Sequence, residues 1–94
     1  MRIQWTRSAA SDLTRLHEYL QPVAPEVAAR IVQRLARAPD RLRDHPQLGE
    51  RLEAYGPREV RRIIVGDYEL RYEVTSEAII VLRIWHGREN RGVS

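Results

Sequence analysis

The 94-residue sequence has no cysteine, no lysine and no phenylalanine. The lack of cysteine excludes a disulfide framework, a thiolate zinc site and a cysteine nucleophile at once, and it suits a reducing compartment. The lack of lysine leaves the whole positive surface to arginine, sixteen residues against thirteen carboxylates, for a formal charge of +3. That balance permits an anionic partner without requiring one. Long apolar runs are missing too. The longest uncharged one, Ala78 to Leu82, is a quarter of the roughly 20 residues that a membrane-spanning helix needs. Arg2 opens an N-terminus without the apolar core of a secretory signal. A soluble, cytoplasmic protein with no membrane partner is expected. There is no glycine-rich phosphate loop, no G-x-S-x-G elbow and no dinucleotide fingerprint. His17, His45 and His86 fall in different elements, and none has a second ligand at metal spacing. No metal and no cofactor are therefore expected.

What is present suffices for one small domain over 1–94. A hydrophobic content of 43% supports a folded chain, and a chain of this length buries about 60% of its unfolded surface. Arg2 to Thr6 alternates, with Ile3 and Trp5 on one side, as a short strand does. Ser8 then offers an N-cap, and Ala9, Leu13, Leu16 and Leu20 recur at the spacing of one helix face. Gln21-Pro22 stops that helix. A second begins near Pro25, with Glu26 beside the positive end of its dipole and an apolar stripe of Val27, Ile31, Leu35, Ala38 and Leu42. Pro39 predicts a kink, or a break with a short restarted turn. Residues 44–57 carry two prolines and two glycines and read as loop.

Three strands follow, Glu59 to Val65, Asp67 to Val74 and Ala78 to Trp85, joined by turns at Gly66-Asp67 and Thr75-Ser76-Glu77. Tight turns make them an antiparallel meander. The fold class is thus α+β, a small single domain of order β-α-α-β-β-β. A helical hairpin (about 8–44) covers one face of an antiparallel sheet whose meander spans about 59–86, and a polar tail (87–94) ends the chain. Alternation sends Tyr68, Leu70, Tyr72 and Val74 toward the helices. It sends Glu69, Arg71 and Glu73 toward solvent or a ligand. Trp5 and Trp85 both read as core packing, with the open face as the alternative for Trp85.

Two arginine constellations stand out. Arg30, Arg34, Arg37 and Arg41 are four, three and four residues apart and form one ridge, about 100° round the second helix from its apolar stripe. Such a ridge could meet phosphates or an acidic partner, or be a solvated flank whose methylene stems cover the core edge. The second group lies on the sheet. Arg58, Arg61 and Arg62 precede or enter the first strand of the meander, Arg71 sits mid-strand opposite Arg83, and His86 and Arg88 come at the end. Guanidinium forks with an imidazole could bind phosphate or assist proton transfer. Equally, Arg71 and neighbouring Glu69 and Glu73 could form ordinary surface ion pairs.

These residues carry a resemblance that spans essentially the whole chain. I-x-W-T-x-x-A-x-x-D-L (Ile3 to Leu13), P-x-x-G (Pro46 to Gly49), V-R-R-I-x-V-G-x-Y-x-L-x-Y-x-V (Val60 to Val74) and I-x-V-L-R-I-W-H-G-R (Ile79 to Arg88) resemble the RelE/ParE superfamily, the toxins of type II toxin–antitoxin modules. The resemblance implies a β-α-α-β-β-β fold and a cognate antitoxin of ribbon-helix-helix, ParD-like type that wraps the toxin as a hetero-oligomer. It also implies DNA contacts made mainly by the antitoxin. Arg30, Arg34, Arg37 and Arg41, on the flank of the helical hairpin, are the antitoxin-binding candidates.

The superfamily divides into RelE-like ribosome-dependent endoribonucleases and ParE-like inhibitors of DNA gyrase. RNA-cleaving relatives commonly carry Arg directly after the first Tyr of Y-x-L-x-Y, where it would stabilise charge on the scissile phosphate. That position is Glu69 here, and Arg71 is displaced by one strand repeat, about 6.5–7 Å. No Tyr follows Tyr72 to serve as acid or base. The expectation is therefore a ParE-like gyrase inhibitor without catalytic residues, with Arg58, Arg61, Arg62, Glu69, Arg71, Arg83, His86 and Arg88 as target-binding candidates. The alternative is a RelE-like nuclease using Arg61, Arg71, His86 and Arg88. A third possibility is a degenerate member that binds its antitoxin without toxicity.

Overall fold

Thr6 ends the first strand, β1 (Arg2–Trp5), and starts the first helix, α1 (Arg7–Leu20). Its backbone is extended (φ −69°, ψ 161°) and its hydroxyl oxygen accepts the Ala9 N–H at 3.0 Å, which satisfies one of the orphan donors of the first turn. Ser8, the cap expected from sequence, lies inside the helix. The Thr6 hydroxyl also donates to the Leu82 carbonyl at 2.9 Å, so this cap is chosen by tertiary structure as well as by local geometry. The computed structural model describes residues 1–87; Arg88 and the polar tail expected beyond it lie outside the described residues.

Helix α2 (Pro25–Arg37) has Pro25 in its first turn, where the missing N–H costs nothing, and Glu26 beside the helix dipole. It ends one residue before Ala38 because Pro39 cannot donate and its ring collides with the preceding turn. The chain tightens there into a 3₁₀ helix, Ala38–Arg43, with Pro39 and Leu42 buried. The expected break and restart is what forms. Leu16, Leu35 and Leu42 anchor the core; Leu13, Leu20, Ile31 and Ala38 pack at its margin. Val27, placed on the stripe by spacing, is exposed, while Ala28 is fully buried.

The sheet is five-stranded, in the order β1-β5-β4-β3-β2. Its three long strands are β3 (Glu59–Val65), β4 (Tyr68–Val74) and β5 (Ala78–His86), within a residue of the expected limits. Strand β1 lies parallel to β5, Ile3 opposite Ile79 and Trp5 opposite Val81. Gly66, at φ 61°, opens the two-residue turn between Val65 and Tyr68. The remaining strand, β2 (Glu50–Arg51), lies in the stretch whose composition predicts loop: it is two residues long, fully charged, and pairs with Arg61 and Arg62. A short 3₁₀ turn, Glu53–Tyr55, returns the chain from β2 to β3. Two helices on a mixed five-stranded sheet make the α+β class expected.

The N-terminal part of α1 also protects the sheet edge. Beyond Val81 strand β5 has lost its partner β1, and helix side chains take up the backbone groups left over. Thr6 donates to Leu82 C=O, the Asp12 carboxylate accepts the Ile84 N–H at 2.8 Å, and Arg15 donates to the Ile84 C=O at 3.4 Å. Buried backbone groups need such partners. They explain why a carboxylate, only 4% exposed, sits on the apolar face of α1.

Candidate functional site

Strand parity places Arg62, Glu69, Arg71, Glu73 and Trp85 on the sheet face away from the helices, since Arg62 pairs with Arg71 and Glu69 with Trp85 across the strands. Alternation sends Glu69 and Arg71 toward solvent or a ligand on this face. Instead both are buried, 5% and 4% exposed. The physical reason is the segment from β2 through the Glu53–Tyr55 turn, which folds over this face and which local alternation could not reveal. Arg71 Nε donates to Glu69 at 2.6 Å and its Nη1 to the Tyr55 hydroxyl at 3.1 Å, while its guanidinium lies 4.8 Å from the centre of the Trp85 ring. Burial opposes the Arg71 charge, but the hydrogen bonds to Glu69 and Tyr55 more than offset it, leaving its pKa above the ordinary arginine value.

The network continues outward. Arg62 bridges Glu50 on β2 (2.8 Å) and Glu69 (3.3 Å). Arg58 grips Glu73 through two bonds at 2.7 and 3.2 Å. Arg83 forks onto Asp12 at 2.8 and 3.2 Å and lies 5.1 Å from the centre of the Trp85 ring. Hydrogen bonds to Glu73, Glu50 and Asp12 raise the pKa values of Arg58, Arg62 and Arg83 respectively. Trp85 therefore belongs to the open face, held between two arginines, and not to the core.

Two candidates lie elsewhere. Arg61 shares its side of the sheet with Tyr72, and holds Glu59 at 2.8 Å and the Gly49 carbonyl at 2.8 Å. His86 stands opposite Tyr68 and meets its ring edge-on at 5.2 Å, on the helix-facing side. The structure thus brings together Arg58, Arg62, Glu69, Arg71 and Arg83, and separates Arg61 and His86 from them. Asp12, Glu50 and Tyr55 were missed. Asp12 had a signal, lying three residues after Ala9 and four before Leu16 on the apolar face; the other two act through pairings distant in sequence.

On the helix-facing side the loop before β2 is pinned by Tyr72. Its hydroxyl donates to the Pro46 carbonyl at 2.8 Å and accepts the Gly49 N–H at 2.9 Å. Burial raises the pKa of this hydroxyl above its ordinary 10.0, although the Gly49 bond and Arg61 lower it in part. A raised folded value means stability present below the unfolded pKa and lost as pH rises through the folded one. Tyr72→Phe is expected to lose about 1–2 kcal/mol at neutral pH, and to lose less than the parent on going to about pH 10.5. Urea unfolding at both pH values measures this; equal alkaline losses in both proteins would refute it.

The ridge arginines form a second surface. Arg30, Arg34 and Arg37 of α2 and Arg41 of the 3₁₀ helix line a groove of about 550 Å³ with Gln33, Asp40, Ile64 and Val65. Among the described residues none of these four arginines engages a carboxylate, and Asp40 is held by Arg43 at 3.8 Å. No helix among the described residues is long and apolar enough to cross a membrane.

The family model described as "ParE toxin of type II toxin-antitoxin system, parDE" matches residues 3–91. Two curated relatives come from Caulobacter vibrioides: Toxin RelE2 is 34% identical over 90% of this chain and 93% of its own length, and Toxin RelE3 is 31% identical over 88% and 90%. A solved structure of the chromosomal ParDE system from P. aeruginosa aligns with TM-score 0.77 and 26% identity, covering 92% of this chain and 95% of that one.

Proposed function

Since the chain belongs to the ParE toxin family of type II toxin–antitoxin systems, we propose that it acts in the cytoplasm by binding DNA gyrase and that a ribbon-helix-helix, ParD-like antitoxin neutralises it as a hetero-oligomer. DNA contacts then pass through the antitoxin. The observation that carries the gyrase branch is the buried Glu69–Arg71 pair. A nuclease must turn guanidinium groups toward a phosphodiester, yet Arg71 directs its Nε to Glu69 and its Nη1 to Tyr55, with its side chain 5% exposed. An RNA strand on this face would also meet the carboxylates of Glu50, Glu69 and Glu73. A protein partner, by contrast, can match a neutralised face of alternating charges and gain specificity from it.

Purified chain titrated into a DNA gyrase supercoiling assay is expected to abolish supercoiling, with relief on adding the antitoxin. Full supercoiling at saturating chain would end the gyrase reading. Because the curated relatives carry the RelE name, the same preparation belongs in a translation extract followed by primer extension. Cuts in the ribosomal A site would favour the nuclease instead, and harmless expression without antitoxin would favour a degenerate member.

A further inference from the structure

Two arginines of the open face are built alike. Arg83 is gripped along its Nε–Nη2 edge by Asp12, at 2.8 and 3.2 Å, and lies 5.1 Å from the centre of the Trp85 ring. Arg58 is gripped along the same edge by Glu73, at 3.2 and 2.7 Å, and lies 5.8 Å from the centre of the Tyr55 ring. A carboxylate at one edge and an aromatic ring at one face fix the plane of a guanidinium group. In both pairs the cation is the outer member. The side chain of Arg83 is 44% exposed against 6% for Asp12, and that of Arg58 is 52% exposed against 18% for Glu73. Among the described residues Nη1 of neither arginine has a partner. Each therefore keeps its Nη1–Nη2 edge free, a fork that fits a second carboxylate.

Arg71 is their opposite, a buried guanidinium that offers nothing outward. Arg83 stands one strand across from it. Glu73, which Arg58 grips, lies one strand repeat along β4 from it, about 6.5–7 Å. The two free forks thus flank a closed centre. Beside Arg83 a cleft of about 310 Å³, lined by Arg7, Ser8 and Ser11 together with the Arg83–Asp12 pair, has room for a side chain. The charge of each fork is already balanced from beneath. Such a face does not draw in a polyanion from a distance, because nucleic acid binds through a net positive field and released counterions. At contact range it presents preset donors, and these reward single, well-placed acceptors.

We infer that Arg58 and Arg83 are the two anchors of the target contact, and that each takes one Asp or Glu side chain of gyrase on its outer edge while Glu73 and Asp12 hold it from beneath. This rests on the gyrase reading above and gives that reading the chemistry of the partner's surface.

Lysine substitution tests the fork, since it keeps the charge and loses the planar edge. Binding of the purified chain to DNA-free gyrase, followed by calorimetry, is expected to weaken at least about tenfold in Arg58→Lys and in Arg83→Lys, each checked for folding by thermal unfolding. The sequence has no lysine, so each variant also carries the chain's single side-chain amine. A carbodiimide, which condenses an amine with a carboxyl group, is expected to join that amine to gyrase. Mass spectrometry of the adduct should find an Asp or Glu of gyrase in the new amide, with the parent and its lone N-terminal amine as the control. Binding by both variants within about twofold of the parent, or adducts from neither, overturns the inference while the gyrase reading stands. A parent chain that does not bind gyrase overturns both. If the chain binds duplex DNA alone and both variants lose that binding in step, the forks serve phosphate and the inference fails. Should Arg83→Lys unfold beside the buried Asp12, Arg58→Lys, whose pair lies nearer the surface, decides the question by itself.

Discussion

Glu69→Gln is expected to be among the most damaging single substitutions on the sheet, costing about 3–5 kcal/mol. The amide keeps the shape but removes the charge on which Arg71 Nε (2.6 Å) and Arg62 Nη1 (3.3 Å) converge. Arg62 can turn to Glu50 and solvent, its side chain being 38% exposed. Arg71 cannot, at 5%, and is left with the Tyr55 hydroxyl and the face of Trp85. A buried cation without its anion carries most of its desolvation cost. In a domain of this size the loss corresponds to a fall in Tm of at least about 12 °C. Glu69→Leu combined with Arg71→Met should recover most of it, because two apolar side chains of similar volume need no hydration replaced. Thermal unfolding of Glu69→Leu, of Arg71→Met and of the double variant closes the cycle. A Glu69→Gln protein within about 3 °C of the parent would show that water reaches the pair and that the face is open. The double variant also tests the site: if the pair only braces the face, it still inhibits gyrase. Loss of inhibition in a folded double variant would place one of these side chains against the target.

Why the face was misjudged while the fold was legible comes down to the range of the forces involved. Leu13, Leu16 and Leu20, or Leu35 and Leu42, announce a buried helix face by spacing alone, and Pro39 ends α2 for a reason held within four residues. Parity along Tyr68 to Val74 correctly separates two faces. It cannot say which face is covered, because the cover over Arg71 comes from Tyr55, sixteen positions earlier in the chain. Strand β2 escaped for the same reason: Glu50 and Arg51 have no strand propensity of their own and are ordered by Arg61 and Arg62. The Thr6 cap was displaced from Ser8 by a bond to Leu82 at the far end of the sequence. Arg30, Arg34 and Arg37, by contrast, share one groove as their local spacing on α2 predicts, and Arg41 joins them from the 3₁₀ helix. What spacing could not supply was the opposite wall, Ile64 and Val65 of β3.

Gly49→Ala should cost roughly 2–4 kcal/mol, although no unusual backbone angle demands glycine there. Among the described residues only Gly56 and Gly66 have positive φ; at Gly49 the requirement is space. A Cβ would fall 2.5 Å from the Arg62 carbonyl oxygen and 2.8 Å from the Tyr72 hydroxyl. The first of these is backbone within β3, and cannot swing aside. The loop must lift, which strains the Gly49 N–H bond to Tyr72 (2.9 Å), the bond from Arg61 to the Gly49 carbonyl (2.8 Å) and the short β2 pairing just beyond. Lifting β2 also loosens the turn that carries Tyr55 over Arg71, so damage on the helix-facing side travels to the open face. Gly56→Ala is the control. Its φ is +64° and its ψ −126°, outside the left-handed helical region, with nothing within 4 Å of a Cβ, so the cost there is backbone strain alone, about 1–3 kcal/mol. Urea denaturation of both variants should therefore rank Gly49→Ala as the more damaging. Adding Tyr72→Phe removes one of the two collisions at Gly49, so the double variant should be more stable than the sum of the single losses, by about 1 kcal/mol. Strict additivity, or a Gly49→Ala protein as stable as the parent, would mean that the loop yields without cost and that the P-x-x-G turn is not what holds the face together.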